Sequence, residues 1–138
     1  MSHRLDEFWK VTLESESIVW CTRTSKPYLS LFALDEALVL LYGRLVGIDR
    51  SEHSILLDLR HGPRSNHGEW TAGALLHHRR RLIRGFRRAG FLVLTPDQAE
   101  PIPRPLDPEH PEVQLFRDPD RARGALRLPR QGKNAMPA

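Results

Sequence analysis

One cysteine, Cys21, stands among 138 residues, so the chain can form no internal disulfide and no Cys-rich zinc site. Long apolar runs are missing as well. Nothing approaches the roughly 18 uninterrupted apolar residues that a membrane span needs. The segment Met1-Ser2-His3-Arg4-Leu5-Asp6-Glu7 has no signal-peptide core, which points to a cytoplasmic location. No Gly-x-Ser-x-Gly, phosphate-loop or His-Glu-x-x-His signature is present, so the expectation is a protein that is not an enzyme and takes no cofactor or metal. Lysine is scarce, with 3 lysines against 18 arginines, and aromatic residues make up only 7%.

What remains is enough for one domain with one core, since 40% of the residues are hydrophobic and 28% are charged. We place that domain at 8–126, with flexible termini at 1–7 and 129–138. From Phe8 to Ser15 apolar and polar residues alternate, the period of a strand with one buried face, and Ile18 to Thr24 repeats the signal. Only Glu16-Ser17 separates the two runs, which suits an antiparallel hairpin. Ser30 then reads as a helix N-cap, with Leu29 and Leu34 at the positions of a hydrophobic staple. Leu31, Leu34, Leu38, Leu41 and Leu45 follow at spacings of three and four, and Gly47 is a plausible stop. Ile55 to Leu59 is the apolar run of a central strand covered on both faces.

A second helix is expected from about Glu69 to Ala89, with Gly90 stopping it and Phe91 to Thr95 forming the next strand. Six of the sixteen residues from Pro96 to Pro111 are proline, so 96–111 reads as an extended linker inside the domain. Val113 to Phe116 suits a short fifth strand, and Asp118 an N-cap for a short helix through Leu126. This order implies an α/β fold: a mixed sheet of four to five strands, with an antiparallel N-terminal hairpin, parallel later strands and helices mainly on one face.

The least ordinary feature is cationic. His77, His78, Arg79, Arg80, Arg81, Arg84, Arg87 and Arg88 form a run without one acid. On a helix most of them share a face, where their mutual repulsion has no i, i+4 carboxylate to relieve it. Three uses compete: a solvated face, a dock for an acidic protein surface, or a site for nucleic acid or anionic lipid. Arginine suits bidentate recognition of carboxylate and phosphate alike, so residue type does not separate the last two.

Other residue types here can carry chemistry. Asp58, at the end of the central strand, with His61 and His67 in the following loop, forms the alternative of an enzyme site; a loop-bracing Asp58 is the simpler reading. Adjacent His77 and His78 diverge by about 100° on a helix and cannot share a metal. Trp9, Trp20 and Cys21 read as core. Trp70, at the start of the second helix, is the aromatic kept as a partner contact.

The element order, the strand Ile55-Leu56-Leu57-Asp58-Leu59-Arg60 with its loop Pro63-Arg64-Ser65-Asn66, and Val113-Gln114-Leu115-Phe116-Arg117-Asp118 leading into Asp120-Arg121-Ala122 resemble the bacterial STAS-related, SpoIIAA-like proteins (STAS/SEC14-like). That resemblance implies a SpoIIAA-like sheet and a regulatory, non-catalytic role in protein binding, sometimes controlled by phosphorylation. The Asp-Ser-Ser-Gly-like element of the family's anti-sigma-factor antagonists is missing, and only Ser65 lies in the corresponding loop, as a phosphosite by position. The expected working surface is therefore Arg64, Ser65, Asn66, Trp70, Arg80, Arg81, Arg84, Arg87 and Arg88, docking a protein partner with an acidic surface. A small basic module for nucleic acid or anionic lipid is the alternative.

Overall fold

The alternation that begins at Trp9 forms β1 (Trp9–Glu14), and β2 (Ile18–Arg23) runs antiparallel to it with Val11 opposite Cys21 and Thr12 opposite Trp20. The computed structural model describes residues 7–14, 17–62 and 69–129, without the side chains of 69–72. The expected flexible termini therefore fall almost wholly outside the described residues.

Helix α1 (Leu31–Leu45) starts where the Ser30 hydroxyl accepts the Ala33 N–H at 3.0 Å, satisfying one of the open donors of the first turn. It buries Leu34, Leu38, Leu41 and Leu45 and ends before Gly47, whose φ of +96° favours a residue without a Cβ. The expected staple is not made. Leu34 is buried but Leu29 is 83% exposed, because Tyr28 turns inward instead, packing on Phe8 and accepting the Trp9 indole N–H at 3.0 Å.

The central strand β3 (Ser54–Asp58) is buried at every position between β2 and β4, parallel to both. Helix α2 (Glu69–Ile83) is shorter than expected: it stops at Ile83, Gly85 takes φ +89°, and the next strand, β4 (Arg88–Leu92), begins at once. Arg87 and Arg88 are not on the helix, and Gly90 is not a helix stop but the middle of β4. The cause is a tertiary cap: Arg50 Nη1 donates to the carbonyls of Arg81, Leu82 and Arg84 at 3.1, 3.1 and 2.7 Å, closing α2 at Ile83 rather than at Ala89.

Strand β5 (Val113–Phe116) pairs parallel with β4, and α3 (Pro119–Leu126) follows under an Asp118 N-cap that accepts the Asp120 N–H at 2.9 Å. The five strands lie in the order β1-β2-β3-β4-β5. Because each parallel strand adds on the same side of the last, right-handed crossovers place α1 and α2 on one face. There they pack with Val19, Cys21, Ile55, Leu57, Ala89, Phe91 and Val93 in the larger core. On the other face α3 covers Ile18, Trp20, Leu56 and Leu92 with Ala122 and Leu126.

The proline-rich stretch stays out of helix and strand beyond one 3-10 turn at Pro96–Ala99, yet it packs closely: Ala99 is in the larger core and Ile102 lies against it. It covers part of the face that a third crossover helix would occupy. Among the described residues no helix is long and apolar enough to cross a membrane.

Candidate functional site

Open α/β sheets place ligands at the carboxyl ends of their strands, where Asp58 stands. Asp58 is only 2% exposed. One carboxylate oxygen accepts the Arg60 backbone N–H at 3.2 Å and its Nε at 2.9 Å; the other accepts Arg60 Nη2 at 2.9 Å and the Trp20 indole N–H at 3.1 Å. Burial alone raises a carboxyl pKa, but here the hydrogen bonds from Arg60 and Trp20 outweigh it and hold Asp58 below its usual range. Gln98 ties the same loop to the segment that follows β4 by donating to the Arg60 carbonyl at 3.2 Å and accepting the Leu94 N–H at 2.6 Å. Asp58 is thus a loop brace with all its acceptor positions in use. His61 is exposed on the next turn, whereas His67, Arg64, Ser65 and Asn66 lie outside the described residues.

The arginine run is dispersed by the fold. Arg79 is buried; its Nη1 donates to the carbonyls of Ala99 and Pro101 at 2.9 and 3.0 Å, and its guanidinium lies 5.1 Å from the Phe91 ring centre. Burial pulls its pKa down to about 10, which leaves it charged at neutral pH. Arg80 buries its Nε with no hydrogen-bond partner among the described residues. Arg84 pairs with Asp107 and Glu109, each at 3.0 Å, so the missing acids come from the proline-rich segment rather than from the helix. Arg88 reaches to the opposite side of the sheet and donates to the carbonyls of Ala125 and Arg127, at the C-terminus of α3. Arg87 is exposed beyond the helix, and Arg81 is exposed on it. Trp70 is in the first turn of α2, its side chain outside the described residues.

Arg81 is held by stacking, with its guanidinium 4.5 Å from the centre of the Tyr42 ring on α1. Beneath that contact a polar bridge joins the two helices. The Tyr42 hydroxyl lies 2.7 Å from His78 Nδ1, and His78 Nε2 lies 2.8 Å from an Asp35 oxygen. A carboxylate only accepts, so Nε2 donates to Asp35, and in the tautomer that carries its proton on Nε2 alone Nδ1 accepts the phenol proton. Burial pushes the Tyr42 phenol up to about 12, against the pull of Arg81 and Arg50, so it stays a neutral donor. The arrangement is a latch between α1 and α2 rather than an activated nucleophile. His77, its neighbour, is exposed, and the two rings meet edge to face at 5.5 Å. Among the described residues no three His, Cys, Asp or Glu side chains gather as a metal site.

Sequence reading missed one surface. The outward side of α1 exposes Phe32 (75%) and Val39 (57%), and the C-cap residue Val46 (80%), in extended backbone just past the helix, continues the seven-residue spacing, while Leu34, Leu38, Leu41 and Leu45 on the opposite side are buried. Exposed Gly43 lies on this side, and a Cβ there would meet no atom within 4 Å. The signal was present in the heptad spacing, but the stronger leucine stripe explained the helix without it.

No family model matches this chain, and comparison with curated proteins and with solved structures finds no significant match.

Proposed function

We propose that this chain is a non-enzymatic, regulatory protein-binding module, in line with its STAS-like resemblance, and that it docks an amphipathic helix of its partner along α1. The observation that carries this reading is the row Phe32, Val39 and Val46, apolar, exposed and seven residues apart on α1 and its C-cap. Exposed apolar residues scattered singly need no explanation, but two in line on a helix with a third at its C-cap match the spacing of anchors in helix-in-groove recognition. Gly43 between the last two lets another backbone approach closely.

Charge selects the partner. Arg81 flanks the row on the α2 side, and the chain carries a net charge of +4, so the matching helix presents acidic residues on that side of its apolar stripe. The loop after β3 and the N-terminus of α1 leave the sheet at the same edge, because β2 and β3 are parallel. Arg64, Ser65 and Asn66, which lie outside the described residues, remain proposed partner contacts, with Ser65 as the site where a phosphate would alter affinity. Nucleic acid is the weaker reading, since Arg84 is already paired and Arg88 caps α3 on the far side.

A photo-crosslinking amino acid at position 39, used in lysate of the native host, tests this. The expected adduct is with an acidic amphipathic helix of another protein, lost in Phe32→Ser. Adducts only with nucleic acid or only with a second copy of the chain, or adducts unaffected by Phe32→Ser, overturn it.

A further inference from the structure

Between the C-terminal ends of α1 and α2 lies an open cleft of about 330 Å³, lined by Tyr42, Leu45, Val46, Ile48, Arg50 and Arg81 among others. No lining residue is acidic. Both arginines are fixed in place for reasons unrelated to any ligand. Arg50 caps α2 through Nη1 and lies 4.8 Å from the Phe86 ring centre, so among the described residues its Nε and Nη2 hydrogens have no acceptor. Arg81 stacks on Tyr42 and has no hydrogen-bond or ion-pair partner among the described residues.

Two guanidinium groups sharing one cleft repel each other. Burial pulls the Arg50 pKa down, and the charge of Arg81 acts in the same direction. A dianion placed between them would reverse that penalty. Tyr42 supplies no negative charge, since its phenol remains protonated. The rest of the wall is apolar: Leu45, Val46 and Ile48.

We propose that this cleft binds a small organic phosphate monoester, with the phosphate between Arg50 and Arg81 and an apolar body against Val46 and Ile48. Phosphate fits better than carboxylate because the monoester carries close to two negative charges at neutral pH and its oxygens match the arginine fork. The volume sits at the low end of the range for ligand pockets, roughly 300–1,000 Å³, which limits the body to about one ring. This site shares Val46 and Arg81 with the proposed docking surface, but its occupancy requires no partner along α1.

The test is a titration of the full chain with phenyl phosphate at about 150 mM salt, followed by amide and arginine side-chain NMR. Saturable shifts at Val46, Gly47, Ile48 and Arg81 Nε are expected. Arg81→Ala should weaken binding about tenfold or more, and Arg81→Lys should weaken it less because it keeps the charge but loses the fork. Arg84→Ala and Phe32→Ser should bind as the parent does, the latter whether or not α1 is a docking surface. Inorganic phosphate should bind more weakly than phenyl phosphate, and phenol should not bind. Shifts that do not saturate, that spread evenly over the basic surface, or that persist unchanged in both Arg81 variants overturn the proposal.

Discussion

Gly90 of β4 and Phe116 of β5 occupy one space: a Cβ built on Gly90 would stand 2.6 Å from Phe116 Cε2. Gly90 points to the face that α3 covers, and Phe116 packs there against Ile18, Trp20, Leu56 and Leu92. The glycine is required by its neighbour, not by an unusual backbone angle. Gly90→Ala should therefore destabilise the fold by about 1–3 kcal/mol through overpacking. Phe116→Leu should relieve part of that loss in the double variant, and denaturant unfolding of the four-member cycle measures it.

Leu38 is fully buried under α1, in contact with the larger core. Leu38→Ala should cost about 2–5 kcal/mol in denaturant unfolding. A loss below about 1 kcal/mol would contradict its placement.

Asp58 gives a pH dependence whose sign is fixed by its partners. Its pKa in the fold lies below the unfolded value, so the stabilisation is complete above the unfolded value of about 3.9 and is lost as pH falls through the folded one. In acid unfolding, Asp58→Ala should flatten this part of the profile. At neutral pH the same variant leaves the Trp20 indole N–H without its acceptor, at a cost of about 1–3 kcal/mol.

Cys21 is fully buried, and burial pushes its thiol up to about 12. A thiol reagent at about pH 8 should leave the native protein unlabelled and modify one site after unfolding. Because the folded pKa is raised, this group's contribution is present below the unfolded value of about 8.5 and lost as pH climbs from there towards about 12.

Salt separates protein docking from nucleic-acid binding. With Arg84 and Arg88 committed inside the fold, binding to a duplex oligonucleotide at about 150 mM salt should be no tighter than roughly 10⁻⁴–10⁻⁶ M. Sub-micromolar binding, abolished by Arg81→Glu with Arg84→Glu, would reverse the order of the two readings.

How far these features were legible in the sequence depended on the range of the interactions that decide them. Ser30, the α1 leucines, Gly47 and Asp118 act within a turn or two of themselves, and their roles were readable. The end of α2 was not. Leu82, Ile83 and Phe86 continue the helical period, whereas the deciding cap comes from Arg50, more than thirty positions earlier. The arginines were misread as one surface for the same reason. Their partners are the carbonyls of Ala99, Pro101, Ala125 and Arg127 and the acids Asp107 and Glu109, all supplied by later segments. Asp58 as a brace was foreseen in kind, but its contact with Trp20 needed the parallel pairing of β2 and β3, which sets Trp20 opposite Leu56.

The anchoring of α3 has a consequence for how the protein is made. Ser54 and Arg88, from adjacent strands, both hold the end of that helix, Ser54 by donating to the Leu126 carbonyl at 2.6 Å. Ala122 and Leu126 are among the last described residues to leave the ribosome, yet they alone from α3 shield the side of the sheet bearing Ile18, Trp20, Leu56 and Leu92. A nascent chain that has already paired its first four strands still shows that apolar side to its surroundings. Translation pauses or stop codons before Pro119 would release a sheet with one greasy side, a substrate for chaperones and a seed for aggregation.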